Sequence, residues 1–194
     1  MPRVGLDAEA VTGAASAIVD ADGPAALTLA RLAAQLGVAP PSIYKHVAGL
    51  EDLILRVSMQ TIRRLAEDLT SAALGRSGHE ALLAVAEAYR RFVREHPGLY
   101  SLANAPFKPG STTVQAEAAR VVEILGAVIR GYGVPDDLLI HAIRAVRAGL
   151  HGFVDIETRE SFQMPYSVDD SFLVLIDALD ASLRSLGRGS PSTG

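Results

Sequence analysis

The chain contains no cysteine and no tryptophan. Without cysteine there can be neither a disulfide nor a thiolate metal site. No uncharged apolar run approaches the roughly 18 residues of a membrane span, and the opening MPRVGLDAEAV lacks the apolar stretch of a signal peptide. A soluble, cytoplasmic protein with no membrane partner is therefore expected. Also missing are H-E-x-x-H, G-x-S-x-G, a P-loop and G-x-G-x-x-G. The five histidines, at 46, 79, 96, 141 and 151, have no metal-ligand spacing. The sequence thus predicts no metal, no cofactor and no enzyme. An all-helical enzyme without a short motif is the weaker alternative.

What is present is a helix-forming composition. Alanine and leucine dominate and β-branched runs are short, which favours an all-α fold. With 49% hydrophobic residues in 194, the chain can bury one large core or two small ones. The net charge is −4, which argues mildly against nucleic acid, because neutralising phosphates needs Lys and Arg. The charge is uneven, however. Residues 1–64 carry six basic and six acidic side chains, and the rest carry twelve and sixteen, so the first third is neutral and the remainder acidic.

Along the chain, Asp7 is placed to cap a helix whose apolar stripe is Val11, Ala14, Ala15, Ile18 and Val19. DADGP is turn chemistry that should end it near Asp20. Thr28 caps a second helix, and Gly37 stops it. Longer patterns follow from Leu50, over Glu80 to His96, from Thr113 to Tyr132, from Leu138 to about Glu157 and from Phe172 to Leu186. PGLYSLANA (97–105) can form a short helix and PFKPGST (106–112) a loop. Asp136-Asp137 and Asp169-Asp170 suit helix starts, where acids complement the dipole. About nine helices result, with no repeat and no convincing strand. The tail GRGSPSTG is expected to be disordered.

The sharpest signal is GVAPPSIYKH (37–46). Ala33, Gly37 and Ile43 have the spacing of a helix-turn-helix: a small residue for close approach, a glycine for positive φ and a branched residue to fill the angle. Pro40-Pro41 then explains itself. Proline at the first turn of a helix loses no hydrogen bond, and it prevents the preceding helix from running on. The start of such a helix is what meets base edges. There the prolines offer apolar surface to a thymine methyl, Ser42 a hydroxyl, and Lys45 a cation for guanine or phosphate. Tyr44 and His46 could bond phosphates and fix register. Otherwise, Pro-Pro is only a boundary, Tyr44 a half-buried aromatic and His46 a surface histidine.

The segments Leu6 to Val11 and IVDADGPAALTLARLAAQLGVAPPSIYKHVAGLEDLI resemble the DNA-binding head of the TetR family of bacterial repressors. EHPGLYSL (95–102), LHGFVDIE (150–157) and DDSFLVLIDAL (169–179) are similar to one family of TetR regulatory domains. The resemblance implies a head at residues 1–49, a ligand-binding and dimerisation domain at 50–187 and a tail at 188–194. It further implies a homodimer reading a palindromic DNA operator, acting as a repressor released by a small-molecule effector. By matching positions, Thr28 would cap its helix and touch a phosphate. Pro40, Pro41, Ser42 and Lys45 would face bases, and Tyr44 and His46 the backbone. Two departures stand out. Ala30 replaces the usual basic residue, with Arg31 next to it as the candidate contact, and Leu50 stands where Lys is usual. They motivate an alternative, a dimeric small-molecule sensor or interaction protein with a weakened head.

In the body, the resemblance makes 138–157 and 172–186 candidates for a four-helix dimer interface, and Ala142, Ala145, Val146, Gly149, Gly152 and Phe153 form one broad face. Tyr89, Phe92, Tyr100 and Phe107 are candidates to line a pocket for an apolar or aromatic ligand, with His151 as a polar partner. The plain alternative for all of them is ordinary core.

Overall fold

The computed structural model describes residues 6–105 and 112–189. The described residues form nine α-helices, one short 3-10 turn (Pro24–Ala26) and no strand. They fall into two compact units, Met1–Arg64 with His96–Glu117, and Leu65–Glu95 with Ala118–Gly194. Thus the first unit takes more of the chain than the residues up to 49.

The first unit is built on α1 (Ala8–Asp22), α2 (Leu29–Leu36), α3 (Pro40–Ile43), the start of α4 (Leu50–Ala73) and α6 (Pro97–Ala103). The Asp7 carboxylate accepts the Ala10 N–H at 2.7 Å and opens α1. The helix runs two residues beyond Asp20, because it is Gly23, at φ 80°, that closes it with an N–H to the Val19 carbonyl. Thr28 caps α2 by accepting the Arg31 N–H at 3.1 Å. Gly37, at φ 67°, ends α2 in the left-handed region. The Gly37 and Val38 amides turn back onto the Ala34 and Ala33 carbonyls, which is the doubly bonded glycine stop. Val11, Ala15, Val19, Leu32, Ile43 and Val57 are completely buried in the core of this unit. Leu99 and Leu102 of α6 complete that core, and α1 packs against both α2 and α6.

The second unit holds the rest of α4, α5 (Gly78–Glu95), the later part of α7 (Thr112–Arg130), α8 (Asp136–Thr158) and α9 (Val168–Arg188). In it α5 packs on α8 and α9, and those two pack on each other. The acidic pairs do stand at helix starts, Asp136 and Asp137 in the first turn of α8, Asp169 and Asp170 in that of α9. The last helix begins four residues before Phe172, where Ser167 accepts the Asp170 N–H at 3.1 Å. It also continues through Gly187 and Arg188, which corrects the reading of GRGSPSTG as an entirely unordered tail. The reason is a close approach. A Cβ at Gly187 would overlap the Tyr132 carbonyl oxygen, so glycine lets the last turn of α9 lie against that backbone.

The broad α8 face anticipated for a dimer divides in two. Ala142 and Val146 are buried within the unit, and Gly149 lies against Leu175 and Leu179 of α9. Phe153 packs against Phe172 with the ring planes tilted by 59° and the centroids 5.3 Å apart. Ala145 is exposed, and with it Ala148, Ile140 and Ile156. On α9, Leu173, Val174, Ala178 and Ala181 are exposed as well.

Candidate nucleic-acid interface

The turn from Gly37 to Ala39 delivers Pro40 and Pro41 as the first two residues of α3. Ala39 is extended ahead of them, at φ −70° and ψ 140°, as a residue before proline must be. Regular α-helix covers only four residues, after which Tyr44 to His46 continue as turns through Lys45 N–H to Ser42 O and His46 N–H to Ile43 O. Ile43 and Val47 point inward, 0% and 3% exposed. Burying this pair, four apart, turns the other side of the segment outward.

That outward side carries the residues expected to meet DNA. Pro40, Pro41, Tyr44 and Lys45 are exposed, and Ser42 and His46 are partly exposed. Tyr44 is 59% exposed, so it is not the half-buried aromatic of the plainer reading. Thr28 is exposed at the start of α2, and its hydroxyl already serves as the cap. Arg31 is exposed too, but its guanidinium is ion-paired with Asp22 at the end of α1. No feature of the sequence announced this pair, because its partners come from different helices brought together by the Gly23 turn. At the start of α4, Asp52 accepts the Ala48 N–H and the Arg56 Nε–H, both at 3.0 Å. Partial burial pushes its carboxyl up, but the Ala48 amide and Arg56 outweigh this and hold it below the ordinary value.

The candidates for ligand contact are not grouped so simply. Phe92 is 2% exposed in the aliphatic core of the second unit, with Tyr89 partly buried against that core. His151 of α8 is partly exposed in the same unit, whereas Tyr100 of α6 belongs to the first unit. Phe107 lies outside the described residues.

One strong polar site escaped the sequence reading. Arg90 of α5, its side chain only 12% exposed, donates from Nε and Nη2 to the two oxygens of Glu157, at 2.8 and 2.6 Å. Its Nη2 also meets Asp169 at 2.7 Å. The guanidinium stands 4.7 Å from the centre of the Phe172 ring. The Glu157 hydrogen bonds hold its pKa above the usual arginine value, against the effect of burial. Its three partners lie far along the chain from it, on α8 and α9.

No group of three or more His, Asp or Glu that could hold a metal occurs among the described residues. None of the described helices is long and apolar enough to cross a membrane.

Short capped helices, a glycine-stopped turn and an exposed proline-led segment over a buried Ile43 define a helix-turn-helix protein with a helical body. The family described as tetracyclin repressor-like, C-terminal domain, matches residues 82–179. The uncharacterized HTH-type transcriptional regulator YobS of Bacillus subtilis (strain 168) is 29% identical over 188 residues, 97% of this chain and 94% of its own. The uncharacterized HTH-type transcriptional regulator Rv0681 of Mycobacterium tuberculosis (strain ATCC 25618 / H37Rv) is 33% identical over 153 residues, 78% of this chain and 70% of its own. Among solved structures, BioQ with its natural double-stranded DNA operator superposes with a TM-score of 0.64 at 25% identity, covering 91% of this chain and 99% of that one. The chain belongs to the TetR family of transcriptional regulators.

Proposed function

We propose that the chain works in the cytoplasm as a homodimeric repressor, each subunit presenting Pro40–His46 to one half of a palindromic operator. The observation that carries this reading is the outward exposure of Pro40, Pro41, Tyr44 and Lys45 over a completely buried Ile43. DNA reading is assigned to residues 1–49, ligand binding and dimerisation to 50–187. Pro40, Pro41, Ser42 and Lys45 address bases, and Thr28, Arg31, Tyr44 and His46 address the phosphate backbone. The dimer is supported by the exposed apolar residues of α8 and α9, Ile140, Ile156, Leu173 and Val174, with small neighbours that permit close helix approach. A small apolar or aromatic effector, with Tyr89 and His151 of the second unit as the residues to examine, would favour a form whose two recognition segments no longer match half-sites about one DNA turn apart.

The second reading, a sensor with a weakened head, draws on exposed Ala30 and Leu50, where cations for phosphate are missing. Fluorescence anisotropy on DNA from upstream of the gene, at several salt concentrations, separates the two. Tight, salt-sensitive binding that Lys45→Ala and Ser42→Ala weaken supports the repressor. Absence of binding to any duplex at low salt supports the sensor.

A further inference from the structure

Between Leu6 and Arg56 only Arg31, Lys45 and Arg56 are permanently cationic. Arg56 is held by Asp52 at 3.0 Å, and Lys45 forms no ion pair among the described residues. Arg31 is held by Asp22, both side chains nearly half exposed at 45% and 47%. The placement of this pair is unusual. Asp22 is the last residue of α1, where the helix dipole disfavours an acid, and Arg31 lies in the first turn of α2, where it disfavours a base. Neither charge helps its own helix, so each is compensated by the other.

We propose that Asp22 is a built-in competitor for DNA phosphate, which tempers the affinity of the head by occupying Arg31. The inference rests on the DNA-binding reading above. A phosphate has the same chemistry as the carboxylate it would replace: an anionic oxygen accepting from the guanidinium. Exposed ion pairs of this kind are weak, so phosphate displaces Asp22 rather than being shut out. Breaking the ion pair offsets part of the gain from Arg31. A homodimer feels the effect twice, once at each half-site.

The test is anisotropy with a labelled duplex from upstream of the gene and a random duplex of equal length, from about 50 to 200 mM salt. Phosphate contacts carry no sequence information, so the random duplex reads the effect even where the operator lies elsewhere. Asp22→Asn, close in shape to the native residue, is expected to tighten binding to both duplexes at least threefold. The salt dependence should stay close to that of wild type, because the same phosphates are neutralised in both. In an Arg31→Ala background the gain from Asp22→Asn should vanish. A gain that persists without Arg31 would mean general charge repulsion, and an unchanged affinity would mean no competition; either overturns the proposal. Should neither wild type nor variant bind either duplex at about 50 mM salt, the DNA-binding reading falls and this inference with it. Melting curves for each variant keep an unfolded head from passing for a weak one.

Discussion

Gly98 and the Val19 carbonyl are in such close contact that a Cβ at position 98 would overlap the oxygen, with the Gly23 Cα 3.3 Å from the same point. This is how α6 is fitted against the end of α1. The His96 ring reinforces it, its Nδ1 2.8 Å from Asp20 Oδ2. Through these contacts a helix that follows α5 in the chain joins the core of the helix-turn-helix unit.

Gly98→Ala should therefore destabilise the protein by about 1–3 kcal/mol, the usual range for forcing an atom into a filled site. The obstacle is backbone on both sides and cannot rotate away. Urea unfolding measures it. An unchanged midpoint would show that α6 does not need this approach.

Tyr44 offers a test of backbone contact without disturbing the fold. Since it is 59% exposed, Tyr44→Phe should leave the melting temperature unchanged. Loss of one hydroxyl-to-phosphate bond should weaken DNA binding roughly threefold to tenfold. The factor should be similar on operator and random duplexes, because the phosphate carries no sequence. A loss confined to one sequence would assign Tyr44 to base recognition instead.

Removal of Arg90 should be felt through what it leaves behind. Arg90→Ala strands Glu157, whose side chain is 14% exposed, and should lower stability by about 3 kcal/mol. Arg90→Lys should recover only part of this, since an ammonium cannot make the two-pronged contact to Glu157 while also reaching Asp169. Adding Glu157→Gln to Arg90→Ala should restore some stability. If Arg90→Ala unfolds at the wild-type urea concentration, the network is of no consequence to the fold.

The pH dependence should show two limbs. The Tyr132 hydroxyl donates to Asp180 Oδ1 at 2.7 Å, and burial, then this bond, pushes its pKa well above the ordinary tyrosine value. The folded state thus keeps a proton that the unfolded chain releases. Its contribution is complete below about pH 10 and is lost as pH rises beyond it. Asp180 behaves oppositely. The Arg184 hydrogen bond, then that of Tyr132, holds it below 3.8 despite burial, so its contribution is present above about pH 4 and lost on further acidification. Tyr132→Phe should flatten the alkaline limb in unfolding curves collected from pH 8 to 11. An alkaline limb of unchanged size in that variant would assign the effect to other groups.

The sequence made the short-range features of the head legible because each is decided by its neighbours. Asp7 and Thr28 cap helices through amides three residues on, Gly37 supplies its own positive φ, and Pro40-Pro41 can only start a helix. Ala33 and Ile43 were readable through spacing alone. What escaped was settled across long stretches of chain. Arg90 meets Glu157 and Asp169, and His96 meets Asp20, with nothing local to mark them. Phe92 shows the same limit from the other side. An aromatic at helical spacing reads alike for a pocket and for a core, and the spacing carries no sign of which it serves.

The brevity of α3 has a thermodynamic consequence. Four residues cannot hold a helix by themselves, because fixing the first turn loses more chain freedom than its hydrogen bonds return. Here two of the four have φ fixed by a ring before any folding takes place, and Ile43 anchors a third. The segment that would meet DNA is therefore already ordered in the free protein, so little flexibility remains to be lost on contact. Replacing Pro40 or Pro41 by alanine would add disorder to the free state while removing few contacts, and any loss of affinity would appear chiefly as an unfavourable entropy in calorimetry.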